Sequence, residues 1–445
     1  MSDTNQIEPG TAPAPNADVF KPSGGSFNLS PDRKAKVVNG VQMNALGLES
    51  TADHKQVAKV WQDQCIPIGE YVSQIEAQRV GKVDLTKPWS FLNLSEDLTL
   101  PDGMGFTKAG LMSLVIKYTD YPLSAIEYHL AHDDLATIAE FVNRELGNTR
   151  TDWATRQGKK KTSKFTDSER NVLLRTRPDP DNGGKQVVRM VASDRYGILD
   201  NHEFLGMLMD TLKKTPFGGD MSKALASHTY TDLDKMHGNI LFPDNMKHYP
   251  DSDYGVGLAF SDSEIGTNTA KAVPFLFRSI CLNGCIWGRQ DAELKLNKRH
   301  LGEMNREELA DRLLYVCTVA LNEGNALMTQ MEYSRDAIVP NSKITSVITY
   351  LTQQHKLTVN ESRAWFAAYN VEPWENGFGI INGLTRAARE YDGDARWNLE
   401  STAGSILTPS LTASKDSVKA KWAKIVDRAS ELTTKEVERY TRIAA

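Results

Sequence analysis

The sequence predicts an α+β protein: a small antiparallel sheet with helices in the centre of the chain, flanked by helical N- and C-terminal regions. Three observations predict it. Residues 170–300 hold short β-type runs separated by turn residues, with one amphipathic helix among them. Residues 50–150 and 303–445 instead place apolar residues three and four apart, the spacing of a helix face. Residues 1–34 carry five prolines and few large apolar side chains, too little to offset the entropy of ordering, so they read as a disordered tail.

The elements follow in order. HKQVAKVWQDQCIPIGEYVSQIEAQ sets Val57, Val60 and Trp61, then Ile68, Tyr71, Val72 and Ile75, on a helical stripe; TKAGLMSLVIKY and SAIEYHLAHDDLATIAEFVNREL continue it, with Ser124 as the expected N-cap after Pro122. NVLLRTRP and KQVVRMVAS are strands joined by DPDNGG, whose Asn-Gly-Gly supplies the positive φ of a hairpin turn. RYGILDNHEFLGMLMDTLKK turns helical, with Phe204, Leu205, Leu208, Met209 and Leu212 on one face. MHGNILFP and YGVGLAFS read as strands, and FLFRSICLNGCIWGRQ as a buried helix. Helices then run through REELADRLLYVCTVALNEGNALMTQME, KITSVITYLTQQ, ESRAWFAAYN and GFGIINGLTRAAREY. Val418, Trp422, Ile425, Ala429 and Leu432 form a coiled-coil-like seam, which we read as packing on the chain's own core ahead of a subunit contact.

Composition narrows the functional classes. The 445 residues suffice for two or three domains, and the 40% hydrophobic and 24% charged content is that of a soluble protein. A net charge of −5 gives no global pull toward nucleic acid or anionic membrane, so such affinity needs a local patch. No apolar run reaches the roughly 20 residues of a membrane span, and MSDTNQIEPGTAPAP lacks the basic and apolar parts of a signal peptide. Four cysteines make no disulfide framework. The expected location is the cytoplasm, without membrane association.

Most catalytic signatures are missing. Cys281 and Cys285 lie four apart among Phe275, Leu276, Phe277, Ile280, Leu282, Ile286 and Trp287, with no second pair, so burial is expected and no metal. Arg278 inside that run needs a carboxylate or carbonyl partner. Asp179-Pro-Asp-Asn-Gly-Gly resembles a calcium loop, but Met190 stands where a bidentate glutamate is required. Gly377-x-Gly379 has Asn382 in place of the third glycine of a dinucleotide fingerprint. His129 and His132, near Glu127 and Asp133, have metal-compatible spacing but read as a solvated helix face. We expect no cofactor.

The positive signal is charge. Between Trp153 and Arg195 stand eleven basic residues: Arg156, Lys159, Lys160, Lys161, Lys164, Arg170, Arg175, Arg177, Lys185, Arg189 and Arg195. Five acids oppose them. Arg175 and Arg177 share a strand face by the two-residue period, as do Lys185 and Arg189, and GKKKTSK precedes the hairpin as a basic arm. Trp153, Phe165 and Tyr196 are interleaved. A basic β-face with an arm and aromatic side chains suits a polyanion track.

At ASDRYGILDN, RSICLNG and NGLTRAAREYDGDARWNLESTAGSIL the chain resembles a family of phage- and plasmid-encoded proteins catalogued as a domain of unknown function. Its Arg-Tyr followed by Asn at a helix start is matched by Arg195, Tyr196 and Asn201. Its Arg-x-x-Cys-x-Asn block and following histidine are matched by Arg278, Cys281, Asn283 and His300. Asn382, Thr385, Arg386, Glu400 and Gly404 match more loosely. Where that family often has Asp-Gly-Ser, this chain has SDSEIGTN. The resemblance implies a mobile-element setting in a bacterial host and a polar network of Arg195, Tyr196, Asn201, Arg278, Asn283 and His300. The element order is also similar, at the level of fold alone, to Rad52-like single-strand annealing proteins.

The leading expectation is a non-catalytic protein of phage or mobile-element DNA metabolism, a homo-oligomer that binds single-stranded nucleic acid, DNA above RNA, in annealing or recombination. Asn201 and Asn283 are expected to cap helices. A second expectation is a nuclease-like or nucleotide-modifying enzyme built on Asp194, Asp200, His202, Glu203, His228, His237 and His300. A third is a structural or host-takeover protein that docks a partner on its helices.

Overall fold

A computed structural model describes residues 36–38, 41–43, 65–118, 122–156, 171–215, 221–249, 252–278, 283–286, 296–298, 305–407 and 413–441. The proline-rich tail, Lys159, Lys160, Lys161, Lys164, Cys281 and His300 lie outside these residues. The architecture is α+β: a β/α region with two main sheets, one wholly antiparallel, followed by a helical C-terminal region. A short ribbon of β1 (Lys36–Val38) and β2 (Val41–Met43) stands apart in pairing from both main sheets.

The smaller sheet orders β4 (Val83–Pro88), β6 (Asn171–Pro178), β7 (Gln186–Ser193) and β5 (Gly105–Phe106), with β5 parallel to β7 and the other pairs antiparallel. Three helices cover one face: α2 (Lys108–Tyr118), α3 (Leu123–Ala131) and α4 (Leu135–Arg156). Leu111, Leu114, Val115, Ile138 and Val142 pack there on Val172, Leu174, Val188 and Val191. Contact is close enough that a Cβ on Gly110 would stand 2.1 Å from the Val188 carbonyl oxygen, so only glycine fits. The β6–β7 turn carries the expected glycines at φ 62° and 77°.

The larger sheet runs β13 (Asn283–Ile286), β12 (Ala270–Arg278), β11 (Ser252–Ser263), β9 (Lys235–Leu241), β8 (Leu225–Thr231), β3 (Ile66–Pro67), with β10 (Lys247–Tyr249) on β11 and β14 (Leu296–Lys298) on β12. Its strands alternate as a two-faced sheet requires. Met236, Ile240, Val256, Leu258, Phe260, Ala272 and Leu276 face the main core. There they meet Tyr71 of α1 (Ile68–Ala77), Phe204, Leu205 and Leu208 of α5 (Asn201–Leu212), and Leu313 and Val316 of α6 (Arg306–Arg335). Leu241, Ala259, Val273, Phe275 and Phe277 form a smaller cluster on the other face.

The rest is helical: α7 (Asn341–Gln354), α8 (Val359–Val371), α9 (Gly377–Ala387), α10 (Gly393–Ile406), α11 (Lys415–Ser430) and α12 (Thr434–Thr441). Their boundaries follow the sequence. Thr358 and Asn376 accept bonds from the first-turn amides of α8 and α9. Trp365 is fully buried and donates its indole N–H to the Ile380 carbonyl. Val418, Trp422 and Ala429 are buried in the same core, with Ile425 packed against it, so the seam serves this chain's own interior.

Three expectations are corrected. Residues 50–150 are not a helical unit of their own: β3, β4 and β5 lie within them and pair with strands beyond residue 170. VDLTKP escapes notice because Lys87 and Pro88 dilute a half-exposed edge strand. Within FLFRSICLNGCI, residues 275–278 and 283–286 are not helical: they belong to β12 and β13, an antiparallel pair, and β12 is a strand buried on both faces. Finally, α3 begins at Leu123 with Pro122 as its cap residue, two positions before Ser124.

Candidate functional site

The basic hairpin is tied into a buried ion cluster where the two sheets meet. Arg175 on β6 gives its Nε to Asp84 Oδ1 at 2.9 Å, its Nη1 to the Glu264 carbonyl at 2.6 Å, and its Nη2 to Asp200. Arg189 binds Asp234 Oδ1 at 2.9 Å and Glu264 Oε2. Lys82 reaches the same Glu264 oxygen at 2.8 Å, and Arg177 stands 3.5 Å from Asp234 Oδ2. Glu264 also accepts the Asn201 backbone N–H at 3.0 Å. Burial would raise the Asp200 carboxyl, but Arg175, Arg189 and Lys82 outweigh it and hold its pKa below the ordinary value.

A β-bulge assembles this cluster. Arg175 pairs with Met190 and Thr176 with Val188, so Arg189 is the extra residue. The bulge re-aims its side chain onto the face of Arg175 and Arg177. The two-residue period that joined Lys185 to Arg189 is thereby broken: Lys185 is exposed at the turn and Arg189 is buried. The expected row of free guanidiniums on the hairpin is therefore corrected. Arg175, Arg177 and Arg189 face carboxylates of this chain, and burial of such pairs demands that partnership. Tyr196 donates its hydroxyl to the Glu264 carbonyl at 3.1 Å and its ring edge lies near Gly266. Arg195 and Asp194 are exposed in the turn after β7.

Two groups of the expected polar network thus separate. Tyr196 and Asn201 both converge on Glu264, a residue within SDSEIGTN. Asn201 is not the cap of α5; Asp200 is, and its N–H donates to Glu203 Oε2 at 3.2 Å. The Asn201 side chain is buried with neither polar atom hydrogen-bonded. Arg278 lies elsewhere. It donates to Asn382 Oδ1 at 3.2 Å and stands 3.7 Å from Glu372 Oε1, while Asn382 donates to Glu372 Oε2 at 2.9 Å. This is the carboxylate-and-carbonyl environment expected for a buried guanidinium. Arg278 and Arg335 both stack on Trp374 and Phe378. Asn283 is the cross-strand partner of Arg278 in β13, not a helix cap.

A third polar group crosses the outer face of the larger sheet. Tyr230, His237, Ser261 and Lys271 are successive cross-strand partners. The first turn of α10 closes over them, with Asp394 Oδ1 3.5 Å from His237 Nε2 and Asn268 donating to both Asp394 and Ser261. His237 is 5% exposed and neither ring nitrogen has a hydrogen-bond partner. Burial lowers its pKa to about 4, with Lys271 and Lys235 adding to the effect and Asp394 opposing it. At neutral pH the ring is uncharged, able to give or take one hydrogen bond but a weak proton acceptor.

Among the described side chains, which exclude those of His228 and His300, the enzyme candidates Asp200, Glu203 and His237 are each held by other partners. Asp200 is taken by Arg175 and Glu203 by Arg306, while His237 faces α10. Among the described residues no three His, Cys, Asp or Glu side chains could hold a metal ion. Cys65 and Cys317 are thiols pushed up to about 12 by burial. No helix among them is long and apolar enough to cross a membrane. The carboxylates Asp84, Asp234 and Glu264 and the cation Lys82 went unrecognised in the sequence; the one available signal was the acidic stretch SDSEIGTN. No protein-family model, curated protein or solved structure matches this chain.

Proposed function

We propose that the protein binds single-stranded nucleic acid through the basic arm that precedes β6, in the DNA metabolism of a phage or mobile element and as a homo-oligomer. The hairpin is the rigid mount for that arm. With Arg175, Arg177 and Arg189 neutralised inside the fold, eight basic residues of the segment from Trp153 to Arg195 remain against five acids. Five of the eight, Lys159, Lys160, Lys161, Lys164 and Arg170, belong to the arm. That residual charge is the observation that carries the reading. The arm's root supports it: β6 begins at Asn171, next to Val172, whose cross-strand neighbours are Lys87 and Ser193. Ser193 leads into the turn that exposes Arg195.

The test is a salt titration of binding to single-stranded oligonucleotides, comparing the wild type with K159A/K160A/K161A/K164A. Arg175 and Arg177 are kept, because their loss would unsettle the fold. Four phosphate contacts predict a log–log salt slope shallower by about 3 in the variant. Absence of binding at low salt, or an unchanged affinity and slope in the variant, would overturn the proposal.

A further inference from the structure

The helical region carries a second cationic site, independent of the arm. Between α7 and α11 lies a solvent-open groove of about 520 Å³ lined by Tyr350, Ser417, Ala420, Lys421, Lys424, Ile425 and Arg428. Its volume falls in the range of small-molecule sites. The lining holds three cations and no carboxylate. One of the cations, Lys421, is fixed differently from an ordinary surface lysine. Lys421 is half-buried, and its ammonium donates to the Ile406 and Leu407 carbonyls at 2.7 and 2.9 Å, at the C-terminal end of α10. Carbonyls satisfy its hydrogen bonds without cancelling its charge, and burial pulls its pKa down to about 8. Arg428 is shared with Glu431 at 3.5 Å, a loose surface pair that an incoming anion can displace. Lys424 is exposed.

The remaining lining fixes the ligand class. Tyr350, Ala420 and Ile425 give the groove an apolar, partly aromatic side, while Ser417 adds a hydroxyl. We infer that the groove between α7 and α11 binds a phosphate ester with a flat apolar body, the chemistry of a nucleotide, with the phosphate on Lys424 and Arg428 and the base against Tyr350. Lys421 acts as a positioning residue: it joins the end of α10 to α11 and supplies positive charge beneath the phosphate. The nucleotide is either free or one unit of a strand, and the two sources separate experimentally.

Full-length protein is titrated calorimetrically at low salt with a nucleoside 5′-diphosphate, the matching nucleoside, and a short oligonucleotide. The diphosphate is expected to bind saturably and the nucleoside not to bind. K424A/R428A, both at exposed positions, should weaken the diphosphate at least about tenfold while keeping the wild-type melting temperature. The arm variant K159A/K160A/K161A/K164A should leave diphosphate binding intact, which separates this site from the proposed arm. Diphosphate displaced by the oligonucleotide in the arm variant marks a strand site; diphosphate that stays bound marks a free-nucleotide site. No diphosphate binding by the wild type, equal binding by K424A/R428A, or loss of binding in the arm variant alone overturns the inference.

Discussion

Glu264 offers the sharpest test of how the two sheets are joined. Its carboxylate, with a side chain 2% exposed, accepts from Lys82, from Arg189 and from the Asn201 amide, so one residue links the edge of β4, the bulge of β7 and the start of α5. Glu264→Gln keeps the volume but removes the charge, leaving two buried cations to share Asp234 and Asp200. Removing one partner of a buried pair costs 3–5 kcal/mol, and we take about 4 kcal/mol. Unfolding entropy near 2.1 cal/mol/K per residue gives roughly 0.9 kcal/mol/K for a chain of 445 residues. The variant should therefore melt about 4 °C lower if the chain unfolds as one unit, and lower still if the sheets unfold as a smaller one. Calorimetry at pH 7 in low and high salt measures it. The loss should persist in high salt, because the cluster is shielded from mobile ions. Glu431→Gln, which touches only the exposed Arg428, is the control and should leave the melting temperature in place. A Glu264→Gln midpoint equal to that of the wild type would refute the view that the cluster clamps the sheets.

Two further outcomes follow from single contacts. The His237 pKa is about 4 in the folded protein against 6.5 for the free group, so between those values the unfolded chain binds more protons. Its contribution is complete above pH 6.5 and is lost as pH falls toward 4, by up to about 3 kcal/mol. Urea midpoints at pH 7 and 4.5 should show this limb, and His237→Leu should flatten it; an equally steep limb in the variant would remove His237 as its source. Gly110→Ala drives a methyl into the Val188 carbonyl, and should cost about 1–3 kcal/mol by thermal melting; an unchanged melt would mean α2 slides freely on β7.

Legibility in the sequence follows the range of the interactions. The helices after residue 303 were readable, because caps and three-and-four spacing act within a few residues: Thr358 with Glu361, or Asn376 with Gly379, lie inside a single turn. The β6–β7 hairpin was readable for the same reason, through Asn182, Gly183 and Gly184. β3, β4 and β5 were not. They are two to six residues long, and what makes them strands is a partner more than eighty residues away. The run from Phe275 to Ile286 misled because periodicity cannot separate a helix from a strand buried on both faces.

The candidate site fails to read from sequence in one instructive way. A window count treats its own acids as the only counterions. Here Arg175, Arg177 and Arg189 answer to Asp84, Asp200, Asp234 and Glu264, none of which lies between Trp153 and Arg195. A local excess of positive charge is thus compatible with two opposite structures, a track open to phosphate or one half of a buried ion cluster. Strand burial decides between them. Arginines that alternate with Val172, Leu174 and Thr176 belong to a strand covered on both sides, and a guanidinium there must meet an acid inside the fold. The stretch GKKKTSK, with Lys159, Lys160, Lys161 and Lys164, holds no apolar residue, so its sequence carries no demand for burial.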